Sequence, residues 1–152
     1  MNFKTITFGL IVLVLACCIS AVSAEDVSVD DYTFTVPEGF SVNGTYDEDM
    51  VVLTHDENHA IVVLISDDIA SSSDAISYLE GEGYSFLGEE TYDAVNYEVK
   101  QQNYELDGFT VLSYVFQVED DDYCIITYTI PSDETAPEGD ANPVTGILET
   151  FK

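Results

Sequence analysis

Apolar residues fill Ile6 to Ile19 almost without a break, and after Glu25 they separate into short runs at strand spacing. Tyr32 to Val36 alternates and meets the turn signal Pro37-Glu38-Gly39. This predicts a strand that returns through Phe40 to Tyr46, with Asn43-Gly44 as a tight turn or bulge. Met50 to Thr54 and Ala60 to Ile65 are apolar and β-branched at successive positions on either side of Asp56-Glu57-Asn58, which predicts a hairpin covered on both faces. Ala75, Ile76 and Leu79 recur at helical spacing after the N-cap candidates Ser71, Ser72, Ser73 and Asp74, and Gly81 and Gly83 end that helix. Further strands are predicted at Tyr84 to Leu87, Val95 to Tyr104, Phe109 to Val118 and Tyr123 to Ile130. The last three form an antiparallel meander turned by Asp107-Gly108 and by Glu119 to Asp122. Pro131 to Ala141, rich in proline and acids, reads as a loop. Asn142 then caps a final helix with Pro143 at its first position and an apolar stripe of Val144, Ile147, Leu148 and Phe151. The expected class is α+β: mainly antiparallel sheet, about seven strands, with two short helices packed on it.

The first apolar run changes where such a domain is expected to work. Lys4 precedes it, and Ala21-Val22-Ser23-Ala24 presents small side chains before Glu25, the layout of a secretory signal peptide. Residues 1–24 are therefore read as a leader and 25–152 as one mature, extracytoplasmic domain, secreted or at the cell surface of a prokaryote. A span needs roughly 20 apolar residues, so the run is too short for an anchor, and no transmembrane segment is expected in the mature chain. In a second reading, Val14-Leu15-Ala16-Cys17 resembles a lipobox that would tether the protein through Cys17; it ranks below cleavage near Ala24 because Leu15 stands where a small residue is usual.

Charge narrows the partners. All 30 acidic residues lie after Ala24, against Lys100 and Lys152 alone, so residues 25–152 carry a formal −28. Such a surface repels phosphate backbones and has no arginine to fork onto them, which excludes nucleic acid as a partner. Cations, cell-wall or surface polymers, or another envelope protein are the partners it allows. With Cys17 and Cys18 in the leader, Cys124 is the only mature cysteine. Between Tyr123 and Ile125 it is expected to be a small buried hydrophobe.

Tyr32-Thr33-Phe34-Thr35-Val36-Pro37-Glu38-Gly39-Phe40 resembles the opening strand and Pro-x-Gly-aromatic turn of PsbP-like and DcrB-like domains, and Ile147-Leu148-Glu149-Thr150-Phe151 is similar to their closing helix, with Thr150 where serine is frequent. The resemblance covers the mature chain. It implies an antiparallel sheet packed with helices in an exported protein, and brings no catalytic residue set with it.

Candidate chemistry is sparse. His55-Asp56-Glu57-Asn58-His59 would place two imidazoles across a hairpin tip, with Cβ atoms about 5 Å apart, able to hold a transition metal if a carboxylate joined them. Asp47-Glu48-Asp49, Glu119 to Asp122 and the acids of the 131–141 loop offer oxygen ligands for calcium, without the alternating pattern of a calcium loop. Ser71-Ser72-Ser73 lacks a nucleophile elbow and is explained by helix capping; the glycines lack phosphate-loop spacing; thirty acids single out no glycosidase pair. Tyr97, Tyr114, Tyr123 and Tyr128 suit half-buried strand packing. Asn43-Gly44-Thr45 is an acceptor sequence for N-glycosylation. The expectation is a non-catalytic binding or accessory envelope protein with no cofactor and no assigned site residue. A calcium or transition-metal binder is the alternative, and an extracellular hydrolase comes third.

Overall fold

The two-sided apolar strands lie inside a seven-stranded antiparallel sheet in a computed structural model that describes residues 24–152. The expected leader, with Lys4 and the Cys17 alternative, lies outside the described residues. The sheet is built from β3 (Ser41–Tyr46), β4 (Met50–Thr54), β5 (Ala60–Ser66), β6 (Ser85–Tyr92), β7 (Val99–Leu106), β8 (Phe109–Glu119) and β9 (Asp122–Pro131) in the order β3-β4-β5-β9-β8-β7-β6. Two helices, α1 (Ser72–Gly81) and α2 (Pro143–Thr150), and a separate hairpin of β1 (Asp26–Val29) and β2 (Tyr32–Thr35) cover it. The class is thus α+β and mainly antiparallel. No described helix is long and apolar enough to cross a membrane.

Side-chain alternation divides the core into two layers. Ile61, Val63 and Ile65 of β5, with Cys124, Ile126, Tyr128 and Ile130 of β9, meet Val29 and Phe34 of the hairpin and Val144, Ile147 and Leu148 of α2 on one face. Val62 and Leu64 point the other way, in a cluster with Leu79 of α1, Tyr84 and Tyr104. Burial on both faces explains why β4 and β5 carry apolar residues at successive positions. Ser71 caps α1 by accepting the Asp74 amide at 3.1 Å, and Asn142 caps α2 by accepting the Val144 amide at 3.0 Å.

Three details depart from the sequence expectation. The strand from Tyr32 pairs with β1 and not with Phe40–Tyr46: Asp30, in the left-handed region at φ 52°, turns β1 straight into β2, and β3 runs beside the apolar β4 instead. Strand β6 continues to Tyr92, and β7 spans Val99–Leu106 where Val95–Tyr104 was expected, because Glu89, Glu90 and Thr91 pair with Gln102, Gln101 and Lys100 across the ladder. Pairing supplied by a neighbour outweighs the polar composition of that segment. Gly139–Ala141, in the expected loop, forms a turn of 3-10 helix before Asn142. Asn43-Gly44 resolves as a bulge, with the register shifting between Val42 and Gly44.

Candidate functional site

Antiparallel pairing sorts the turns to two ends of the sheet. Thr54 pairs with Ala60, so His55 and His59 face each other at one end, their backbones joined by the His55 amide and the His59 carbonyl at 3.0 Å. The rings stand perpendicular with centroids 6.0 Å apart, the juxtaposition expected from the sequence. His55 Nδ1 lies 2.7 Å from the Gly39 carbonyl oxygen. A carbonyl only accepts, so this nitrogen is the donor. The approach requires glycine: residue 39 has φ 84°, and a Cβ there would come within 3.0 Å of the ring.

His59 is held differently. Its Nδ1 meets Asp56 Oδ1 at 2.8 Å and its Nε2 meets Glu134 Oε2 at 2.8 Å. Ionised carboxylates only accept, so both ring nitrogens carry hydrogen and His59 is an imidazolium pinning the hairpin tip to the loop after β9. Partial burial opposes that charge, but the hydrogen bonds and charges of Asp56 and Glu134 outweigh it and raise the His59 pKa above its ordinary 6.5. For Asp56, burial raises the pKa, while the hydrogen bonds from His59 and Asn58 prevail and lower it. The two histidines are legible from their spacing, whereas Glu134 stands 75 residues from His59 and no local pattern marks it as a partner. Among the described residues no group of three or more His, Cys, Asp or Glu could hold a metal ion.

The sign of the pH effect follows. A raised folded pKa makes the His59 contribution complete below pH 6.5 and lost as pH rises through the folded value. Because Asp56 and Glu134 are each about half exposed, the effect is expected to be modest, under about 1 kcal/mol. Urea unfolding at pH 6 and pH 8.5 should show the native protein losing stability on the alkaline side and His59→Gln losing less. Equal slopes would contradict the clamp.

The opposite end gathers Asp30-Asp31, Asp47-Glu48-Asp49, Asp67-Asp68 and Glu119 to Asp122, the turns at the ends of β1, β3, β5 and β8. The Asp30 amide donates to the Glu48 carbonyl at 2.6 Å, bringing two of these turns together. Tyr32 reports the convergence: burial, then Glu119, Asp122 and Asp30, push its hydroxyl up to about 12. No Asp or Glu of the described residues is buried.

Other nucleophile or base candidates serve packing. Cys124 is fully buried, which raises its thiol pKa well above the ordinary value, and the Ser71 hydroxyl caps α1. Tyr114 and Tyr128 are buried, and Tyr97 and Tyr123 partly so. A polar chain the sequence did not signal runs beneath α1: Tyr104 donates to Gln102 Oε1 at 2.7 Å, and Gln102 donates to the Ser72 carbonyl at 2.8 Å and to Glu89 at 2.9 Å. Two surface hollows of about 320 Å³ flank the β1–β2 hairpin, one lined by Glu25, Val36, Glu38 and Phe40, the other by Asp26, Thr35, Glu149 and Lys152.

No family model matches the chain, and no curated protein matches it. Among solved structures it is similar to a crystal structure from Bacteroides thetaiotaomicron VPI-5482 at 1.50 Å resolution, with a TM-score of 0.52 and 8% sequence identity over 86% of this chain and 48% of that one. The chain thus spans about half the length of that structure. At this identity the likeness is one of fold.

Proposed function

We propose that this chain is an exported, non-catalytic domain of the PsbP-like type that serves as a binding or accessory protein of the cell envelope and meets cationic partners with its acidic end. The observation that carries the reading is the collection of four acidic turns at one end of a sheet whose mature chain bears a formal −28. Like charges held close in exposed turns cost energy that a polycation relieves on binding. The absence of a catalytic role is supported by the employment of its candidates: Cys124 in the core, Ser71 in a cap and His59 in a double ion pair. The PsbP-like reading is supported by the order of strands, helix, meander and closing helix. Calcium binding at the turns around Tyr32 is the second reading, favoured by the convergence of Asp30, Glu119 and Asp122 on one hydroxyl.

Calorimetric titration with poly-L-lysine at low salt tests the leading reading. Saturable binding is expected, weakened at least about tenfold when Glu48, Asp120 and Asp121 become amides and much less when Glu80, Glu105 and Glu149 do. Tenfold corresponds to about 1.4 kcal/mol. Equal losses would reduce the effect to net charge, and no heat would overturn it. Calcium that competes with poly-L-lysine at millimolar concentration would favour the second reading.

A further inference from the structure

We propose that Asn43 is an N-glycosylation site and that its glycan shields the outer edge of the sheet at β3. The inference rests on the export reading above. Asn43-Gly44-Thr45 is the one Asn-x-Ser/Thr sequence in the chain in which x is not proline. Its placement in the fold is what makes it more than a sequence match. Among the described residues β3 is an outermost strand of the seven-stranded sheet, and Asn43 is the extra residue of its bulge, between the pairs Val42–Leu53 and Gly44–Val52. Asn43 and Thr45 are both exposed, so the acceptor amide and the recognised hydroxyl can be reached in the folded domain.

The edge itself needs protection. An outer strand presents backbone donors and acceptors to any passing strand, and proteins blunt such edges with charge, bulges or cover. In a chain with 30 acids, β3 (Ser41–Tyr46) has none, while Val42 is 36% exposed and Tyr46 47%. The opposite outer strand, β6, carries Glu89 and Glu90. A glycan on Asn43 supplies at β3 the solvated bulk that charge supplies at β6. Gly44 suits the middle of the sequence, since a Cβ there would stand 3.0 Å from the Tyr46 ring. That half-exposed ring, lying over Gly44, offers an apolar face beside the first sugar.

The donor is a lipid-phosphate-linked oligosaccharide, and transfer is the work of a separate membrane transferase. The Asn43 side-chain nitrogen attacks the anomeric carbon of the first sugar and a C–N bond forms. The bond from that carbon to the phosphate oxygen breaks, and the lipid phosphate leaves with its electron pair. The displaced amide proton passes to a base of the transferase; nothing is oxidised or reduced.

Mass spectrometry of the protein isolated from its own cells, intact and as the peptide containing Asn43, tests both readings and keeps them apart. The expected result is a chain starting near Glu25 with at least one sugar on Asn43, the increment being lost in both Asn43→Gln and Thr45→Ala. Loss in Thr45→Ala, which keeps the asparagine, distinguishes sequence-directed glycosylation from other chemistry at an Asn-Gly pair. A chain starting near Glu25 with Asn43 unmodified overturns the glycan and leaves export standing. A chain that retains Met1 and bears no sugar overturns both.

Discussion

Replacing Phe151 with alanine is expected to lower the free energy of unfolding by about 3–5 kcal/mol, the range for large aromatic side chains removed from a core. Phe151 is 3% exposed and joins three parts of the molecule. Its ring stacks on Tyr32 at 5.3 Å and on Phe34 at 6.3 Å, both in the β1–β2 hairpin. It meets Phe116 of β8 edge-on at 5.4 Å and Tyr97 at 6.0 Å. Beside it, Lys152 and Thr33 exchange backbone hydrogen bonds at 3.0 and 2.8 Å, and the Thr35 amide donates to Thr150 at 2.9 Å. Residues 150–152 therefore hold down the β1–β2 hairpin. A cavity at residue 151 removes ring contacts from hairpin, sheet and helix together. The effect is read by urea denaturation, with Leu87→Ala as the comparison, because Leu87 is 61% exposed and its loss should cost less than about 0.5 kcal/mol. Hydrogen exchange in the variant should lose protection first in β1 and β2. A Phe151→Ala protein within about 0.5 kcal/mol of the native one would contradict this arrangement of the core.

What could be read beforehand follows the physics of each signal. Runs such as Met50 to Thr54 and Ala60 to Ile65 are decided by burial on both faces, so their strand character and central place were legible residue by residue. The same holds for the α2 stripe of Val144, Ile147, Leu148 and Phe151, where an asparagine cap, a proline at the first helical position and helical spacing point to one element. β1 was not legible, since Asp26–Val29 is short and partly exposed and owes its form to the partner that Asp30 turns it toward. The second half of β6 is polar and is held by its ladder with β7. At the site, the hairpin joining His55 to His59 was local and therefore visible. Glu134 arrives through the β5–β9 pairing, a nonlocal event that residue spacing cannot encode, and with it comes the second carboxylate partner of His59.

The second large effect comes from charge. Residues 25–152 set 30 carboxylates against two lysines, and folding brings eleven of them, in the turns at the ends of β1, β3, β5 and β8, to one end of the sheet. Two unit charges about 6 Å apart repel by roughly 0.7 kcal/mol even in bulk water, so gathering like charges into neighbouring turns carries a cost that grows with each carboxylate added. Glu48 adds a backbone cost, standing at φ 66° in the left-handed region that disfavours most side chains other than asparagine or glycine. Glu48→Asn should therefore stabilise the protein at low salt through both charge and conformation. Screening shortens the reach of this repulsion from about 30 Å at 0.01 M salt to about 8 Å at 0.15 M.

The decisive measurement is the melting temperature at pH 7 in sodium chloride from 0.01 to 0.5 M, taken on the native domain and on the variant with amides at residues 48, 120 and 121. A rise of about 5–10 °C is predicted for the native protein, equivalent to roughly 2 kcal/mol in a domain of this size, and a clearly smaller rise for the variant. A melting temperature indifferent to salt, or equal rises in the two proteins, would contradict an acidic end held together against its own repulsion.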